Sequence, residues 1–93
     1  MEQIGNELIV KWQASLISVY FIDYNAKKNT IKNILEEIAK YNDDLSISNL
    51  KDIANGMLLI SNLLLAISNN NIVFTPTELS ASAAKILSEL MKS

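Results

Sequence analysis

The chain contains no cysteine, no histidine and no arginine; all eight of its basic residues are lysines. Without cysteine there are no disulfides, thiol nucleophiles or thiolate metal sites, and without histidine the usual general base at neutral pH is missing. The lack of arginine removes the planar forks that read phosphates and base edges, and the net charge of −2 offers no basic stripe, so a nucleic-acid binder is disfavoured. Proline occurs once and glycine twice, which leaves few helix breakers. No Asn-x-Ser/Thr acceptor is present.

Long uninterrupted apolar runs are also missing. The segment 53–67 is the richest in Leu and Ile, but Asn55, Gly56, Ser61 and Asn62 interrupt it, and it falls short of the ~20 residues needed to span a bilayer. The N-terminal MEQIGNELIVKWQASL lacks a charged region followed by a clean apolar run, so it does not read as a signal peptide. A soluble protein is expected. With 93 residues, 49% of them apolar, the chain suits a single domain over 1–93 with a core but no deep catalytic cavity.

What is present is helical periodicity. From about Gln3 to Asp23, the residues Ile4, Leu8, Trp12, Leu16, Val19 and Tyr20 mark one face, and Val10, Ala14, Ile17 and Phe21 mark a second, roughly opposite stripe. After a loop, NAKKN, a second helix runs from about Thr30 to Tyr41, with Ile31, Ile34, Leu35 and Ile38 inward and Lys32, Glu36, Glu37 and Lys40 outward. Glu36 and Lys40 stand at supporting i, i+4 spacing, and Asn42-Asp43-Asp44 ends the helix.

A third helix opens at Ser46 or Ser48 and carries Leu50, Ile53, Met57, Ile60, Leu64 and Ile67 on its inner stripe. Because the stripe keeps register across Asn55-Gly56, a continuous, bent helix is expected there. Leu59, Leu63 and Ala66 then lie on the far side. The Asn69-Asn70-Asn71 triplet can supply the left-handed residue that closes the helix.

For the fourth helix, Thr75 is the expected N-cap, with Pro76 at N1 and Glu78 at N3 as a capping box, and Phe74 and Leu79 as a hydrophobic staple. Leu79, Ala83, Ile86, Leu87 and Leu90 face inward. The whole reads as an all-α protein, an antiparallel four-helix bundle with short connections.

Candidate chemistry is thin. Ser82-Ala83-Ala84-Lys85 matches Ser-x-x-Lys, in which a lysine one turn away activates a serine, but it has no partner motif and reads as helix surface. Glu36 and Glu37 are adjacent, so they point about 100° apart and do not converge. Asp43-Asp44 lacks the ligand ladder of a calcium loop. No catalytic, cofactor-binding or metal-binding residues are assigned, and no enzyme is expected. Trp12 and Tyr20 are read as core aromatics, with Phe21 and Ile17 more open.

The strongest functional signal is apolar surface beyond what a bundle needs. Val10, Ile17 and Phe21 on the first helix and Leu59 and Leu63 on the third are candidate partner-binding positions. Either the bundle buries these side chains between diagonal helices, or they are exposed and imply a protein partner, self-association or a membrane-embedded target.

The run LISNLLLAISNNNIVFTPTEL, and within it Asn71, Ile72, Phe74, Thr75 and Glu78, resembles the corresponding region of the immunity proteins of pediocin-like (class IIa) bacteriocins, of the enterocin A immunity type. Length and the order of four helices agree with this likeness. The resemblance implies a non-enzymatic cytoplasmic bundle, peripheral at the inner face of the cell membrane. Such a bundle protects its producer by acting on the mannose phosphotransferase permease with bound bacteriocin. It also adds Ile72 and Phe74 to the candidate partner-binding positions. Family members often continue into a C-terminal tail associated with the choice of bacteriocin, whereas here Ser93 follows the fourth helix closely, so no specificity residues are assigned beyond the hairpin. A monomer or weak dimer is expected. The alternative from another class is a small homo-oligomeric helical adaptor or regulator that self-associates through Val10, Ala14, Ile17 and Phe21.

Overall fold

The computed structural model describes residues 5–41 and 50–92. Ile4 and Gln3, the Asn42-Asp43-Asp44 terminator and the caps expected at Ser46 and Ser48 lie outside the described residues. Among the described residues the architecture is an all-α bundle with the helices α1 (Asn6–Ser18), α2 (Tyr24–Tyr41), α3 (Ala54–Asn69) and α4 (Ala81–Lys92), and a 3-10 turn over Val19–Phe21.

α1 buries Ile9, Trp12 and Leu16, and the 3-10 turn continues that face with Val19. Ile9 was not on the expected stripe, and Tyr20, expected in the core, is 54% exposed. The reason is local: the chain tightens at Val19 and then becomes extended at Ile22, which rotates Tyr20 and Phe21 outward. Trp12 is buried as expected, and its indole N–H donates to the carboxylate of Glu37 on α2, which supplies the partner that a buried tryptophan needs.

The expected NAKKN loop is helical. Asp23 starts α2 instead: its Oδ1 accepts the Ala26 N–H at 2.9 Å and its carbonyl accepts that of Lys27 at 2.9 Å. The helix is thus longer than its apolar face requires. That face, Ile31, Ile34, Leu35 and Ile38, is buried as its spacing predicts.

The third helix differs most from its sequence reading. It runs continuously through Asn55-Gly56, as its register predicts, but does not reach back to Leu50: Ile53 is extended (φ −100°, ψ 126°), and α3 begins at Ala54. The Ile53 N–H donates to the Leu50 carbonyl at 3.2 Å, so a tight turn precedes the helix. Gly56 lies in the first helical turn, where an added Cβ would fall 1.7 Å from the Leu50 oxygen. Only glycine permits this close approach. The buried face is Gly56, Leu59, Ile60, Leu63, Ala66 and Ile67, whereas Met57 is 59% exposed.

The end of α3 is as the asparagines imply. Asn71 has φ 51°, the Ile72 N–H donates to the Ile67 carbonyl at 3.0 Å, and the Asn71 N–H donates to Ser68 at 3.3 Å. These bonds make a Schellman closure with asparagine in the left-handed position, and Ile72 and Ile67 are both buried beside it.

α4 starts later than expected. Residues Thr75 to Glu78 form a turn rather than the first turn of the helix, and the cap is Ser80: its Oγ accepts the Ala83 N–H at 3.1 Å and its carbonyl that of Ala84 at 2.9 Å. Ala83, Ile86 and Leu90 face the core, with Leu79 at its edge and Leu87 half-buried.

The helices pack chiefly as α1 against α3 and α2 against α4, so α3 and α4, though consecutive in the chain, are not the most intimate pair. At one end, Asn55 clamps the start of α3 to α1: its Nδ2 donates to Asn6 Oδ1 at 2.8 Å and its carbonyl accepts Gln13 Nε2 at 2.7 Å. At the other, Lys27 Nζ donates to Asn70 Oδ1 at 3.0 Å, so α2 starts where α3 stops. Among the described residues, every buried side-chain polar atom has a hydrogen-bond partner.

Candidate functional site

Two features meet at the end of the bundle where α2 starts. One is the end of α1 with the 3-10 turn after it, which present Ile17 (64% exposed), Tyr20 and Phe21 (84%). The other is the connection 70–80 between α3 and α4, where Val73 is exposed and Phe74 half-buried. The Tyr24 hydroxyl, at the start of α2, donates to the Asn71 carbonyl at 3.5 Å, which ties the connection to the residue where α2 begins.

The connection is strapped along α2 by charged groups. Lys28 Nζ lies 2.7 Å from Glu78 Oε2 and donates to Oε1 at 2.8 Å, while standing 5.5 Å from the centre of the Phe74 ring. Glu78 Oε1 also accepts the Thr75 N–H at 2.7 Å, which is one half of the expected capping box, used here to close a turn. The lysine bond and then the Thr75 N–H hold the Glu78 carboxyl down to about 2, since both favour its charged form. Further along, Glu36 accepts the Ser80 hydroxyl at 2.6 Å and the Ser80 N–H at 3.0 Å, which lowers its pKa as well. One residue thus caps α4 with its oxygen and anchors it to α2 with its hydrogens.

The candidate partner-binding residues separate into two groups. Val10 (51% exposed), Ile17 and Phe21 are open, and Phe74 is partly so. Leu59 and Leu63 have no exposed surface, and Ile72 is buried, so these three pack the core and cannot meet a partner without unfolding. The assignment of Leu59 and Leu63 to an outer face is therefore corrected: α3 turns that side towards α1. Among the helix-start residues, Thr75, Pro76 and Glu78 shape the turn before α4 and Leu79 is buried behind it, while the start itself belongs to Ser80.

Glu36, Lys28 and Ser80 were not singled out as a set by sequence reasoning. Their signal was weak but present: a serine followed by Ala-Ser-Ala-Ala is a better helix start than a threonine five residues earlier, because alanines tolerate the first turn.

Chemically, the surface offers apolar contact and little else. Ser82 and Lys85 are both exposed on α4, and Glu36 and Glu37 are directed to different partners, Ser80 and Trp12. Among the described residues no group of acidic side chains is placed to hold a metal ion, and no helix is long and apolar enough to cross a membrane.

No family model, curated protein or solved structure matches this chain.

Proposed function

We propose that the protein is a bacteriocin immunity protein that acts by binding, without catalysis, on the cytoplasmic side of a bacteriocin–receptor permease complex. The observation that carries this reading is the exposure of Ile17 and Phe21 shortly before Tyr24, whose hydroxyl reaches the strapped 70–80 connection at Asn71. That connection contains the residues of the resemblance, Asn71, Ile72, Phe74, Thr75 and Glu78. A partner seated there buries apolar surface against a rigid edge, which limits the ordering cost of binding. The permease is the partner under this reading, and the protein resides in the cytoplasm, peripheral at the inner face of the membrane.

The test is survival. The protein is expressed in a sensitive Gram-positive strain, which is then challenged with a panel of class IIa bacteriocins. Protection against one or a few is the expected outcome, lost on Phe21→Ser and weakened by Phe74→Ala. Full sensitivity to a panel that includes the peptide encoded beside the gene, with folded protein confirmed in the cytosol, would sink the reading. The second reading, a homo-oligomeric adaptor, is favoured by the exposure of Val10, Ile17 and Phe21 along α1. It predicts association that Ile17→Glu abolishes.

A further inference from the structure

α3 carries no charge on any side: residues 53–77 contain no Asp, Glu, Lys or Arg. α2 and α4, by contrast, carry lysines and glutamates from Lys27 to Lys40 and from Lys85 to Lys92. The inner face of α3 is in the core. Its opposite face leaves Met57 59%, Leu58 55% and Leu65 52% exposed. With Ser61 and Ser68 these side chains make an uncharged face that stays about half exposed, a surface that another molecule can cover.

We propose that a second copy of the chain covers it, through a two-fold interface centred on α3. Charge decides the occupant. A partner with a charged surface would have its ions stripped of water against a helix that offers no counter-charge, at a cost nothing on α3 offsets. At a two-fold axis each patch meets itself, so a charged face would repel its own copy, and α3 has no charge to repel. Shape agrees with this. Leu58, Ser61, Leu65 and Ser68 recur at steps of three and four, a seam that alternates large and small side chains. In an antiparallel pairing with the axis between Ser61 and Asn62, Leu58 lies across from Leu65 of the second copy, and the serines leave room for the leucines beside them.

Area sets the strength. A standard interface takes ~800 Å² from each partner, which is about one seventh of the 5554 Å² surface of the chain. α3 is about 24 Å long, given its 16 residues at ~1.5 Å each. One helix face of that length gives a modest interface, in the range of a reversible dimer and well below an obligate one. This inference does not depend on the immunity role.

The experiment is sedimentation velocity on the full chain across a concentration series reaching about 500 μM, high enough to populate a dimer with a Kd of ~100 μM or tighter. A reversible dimer is expected, weakened at least tenfold by Leu65→Glu and by Leu58→Glu, with unchanged helical circular dichroism. Should either glutamate variant unfold, Leu65→Ser is measured in its place, with the same expectation. A chain that stays monomeric throughout the series overturns the proposal; if that monomer binds neutral phospholipid vesicles, the α3 face is a membrane contact instead. A dimer that survives both glutamates but is lost on Ile17→Glu overturns it too, and moves the interface to α1.

Discussion

Replacing Gly56 by alanine sets two physical arguments against each other, and they differ in sign. Helix propensity alone predicts that alanine stabilises α3 by up to ~1 kcal/mol, since glycine is the costliest ordinary residue in a helix. Packing predicts the reverse. The alanine Cβ would lie 1.7 Å from the Leu50 oxygen and 2.6 Å from its carbonyl carbon. Even close C–H···O contacts keep carbon and oxygen ~3.3 Å apart, so the chain must open by about 1.6 Å. The obstacle is backbone rather than the tip of a flexible side chain. Leu50 is itself buried in the core, and the same carbonyl accepts the Ile53 N–H.

Overpacking of a rigid site costs ~1–3 kcal/mol and sometimes more. A clash with backbone belongs at the upper end, so after the propensity gain the net loss is about 2–3 kcal/mol. For a domain of this size each kcal/mol moves Tm by ~4–8 °C, giving a drop of roughly 10–20 °C. Thermal and urea melts followed by far-ultraviolet circular dichroism measure it directly. Gly5→Ala is the control, because nothing lies within 4 Å of a Cβ there; only the modest N-cap preference, ~1 kcal/mol or less, is at stake. A Gly56→Ala protein as stable as the parent, or more so, would refute the close approach of Leu50 and restore the helix reaching back past Leu50 expected from periodicity.

Three further outcomes are expected. Ser80→Ala should cost about 1 kcal/mol or more, as the loss of an N-cap does, while Thr75→Ala costs less; urea melts that rank them the other way would return the helix start to Thr75. Asn71→Ala should destabilise by ~1–2 kcal/mol because alanine resists φ 51°, whereas Asn71→Gly should match or exceed the parent in Tm. Acid should weaken the fold through Glu78 and Glu36. Both carboxyls titrate lower in the folded chain than in the unfolded one, so their contribution is complete above pH ~4.5 and declines below it, that of Glu78 being lost as pH falls towards about 2. The Tm of the parent should fall over that window, and the slope should be shallower in Glu78→Gln; identical slopes would remove Glu78 from the account.

Much of the fold was legible because it rests on local rules. The inner face of α2 and most of that of α4 follow from spacing alone, and the Asn71 closure follows from the tolerance of asparagine for the left-handed region. The boundaries that went wrong are those where tertiary contacts compete with a strong local motif. Thr75-Pro76-Thr77-Glu78 has the grammar of a helix start, yet Glu78 is claimed by Lys28 and Ser80 by Glu36, and the first regular turn begins only after those bonds are made. Tyr20 was placed inside by extending α1 as a regular helix, which the 3-10 turn at Val19 does not allow. The exposure of Val10, Ile17 and Phe21 was readable as a second stripe, because only one face of α1 can be buried.

The hardest choice in the sequence was which side of α3 faces in, since Leu or Ile occurs at almost every angle around it and hydrophobicity alone cannot decide. Small and polar residues decide it. Gly56 and Ala66 lie on the same face as Leu59 and Leu63, and that face packs against α1, the closest neighbour of α3. Small residues let the Leu50 carbonyl and the neighbouring helix approach, while Ser61 and Ser68, both exposed in the single chain, mark the opposite side. A stripe of larger side chains, Met57 and Leu64 among them, gave the more regular period but had no gap to admit a partner. The position of the gaps, more than the position of the leucines, therefore orients α3, and this is also what leaves Leu58 and Leu65 facing outward.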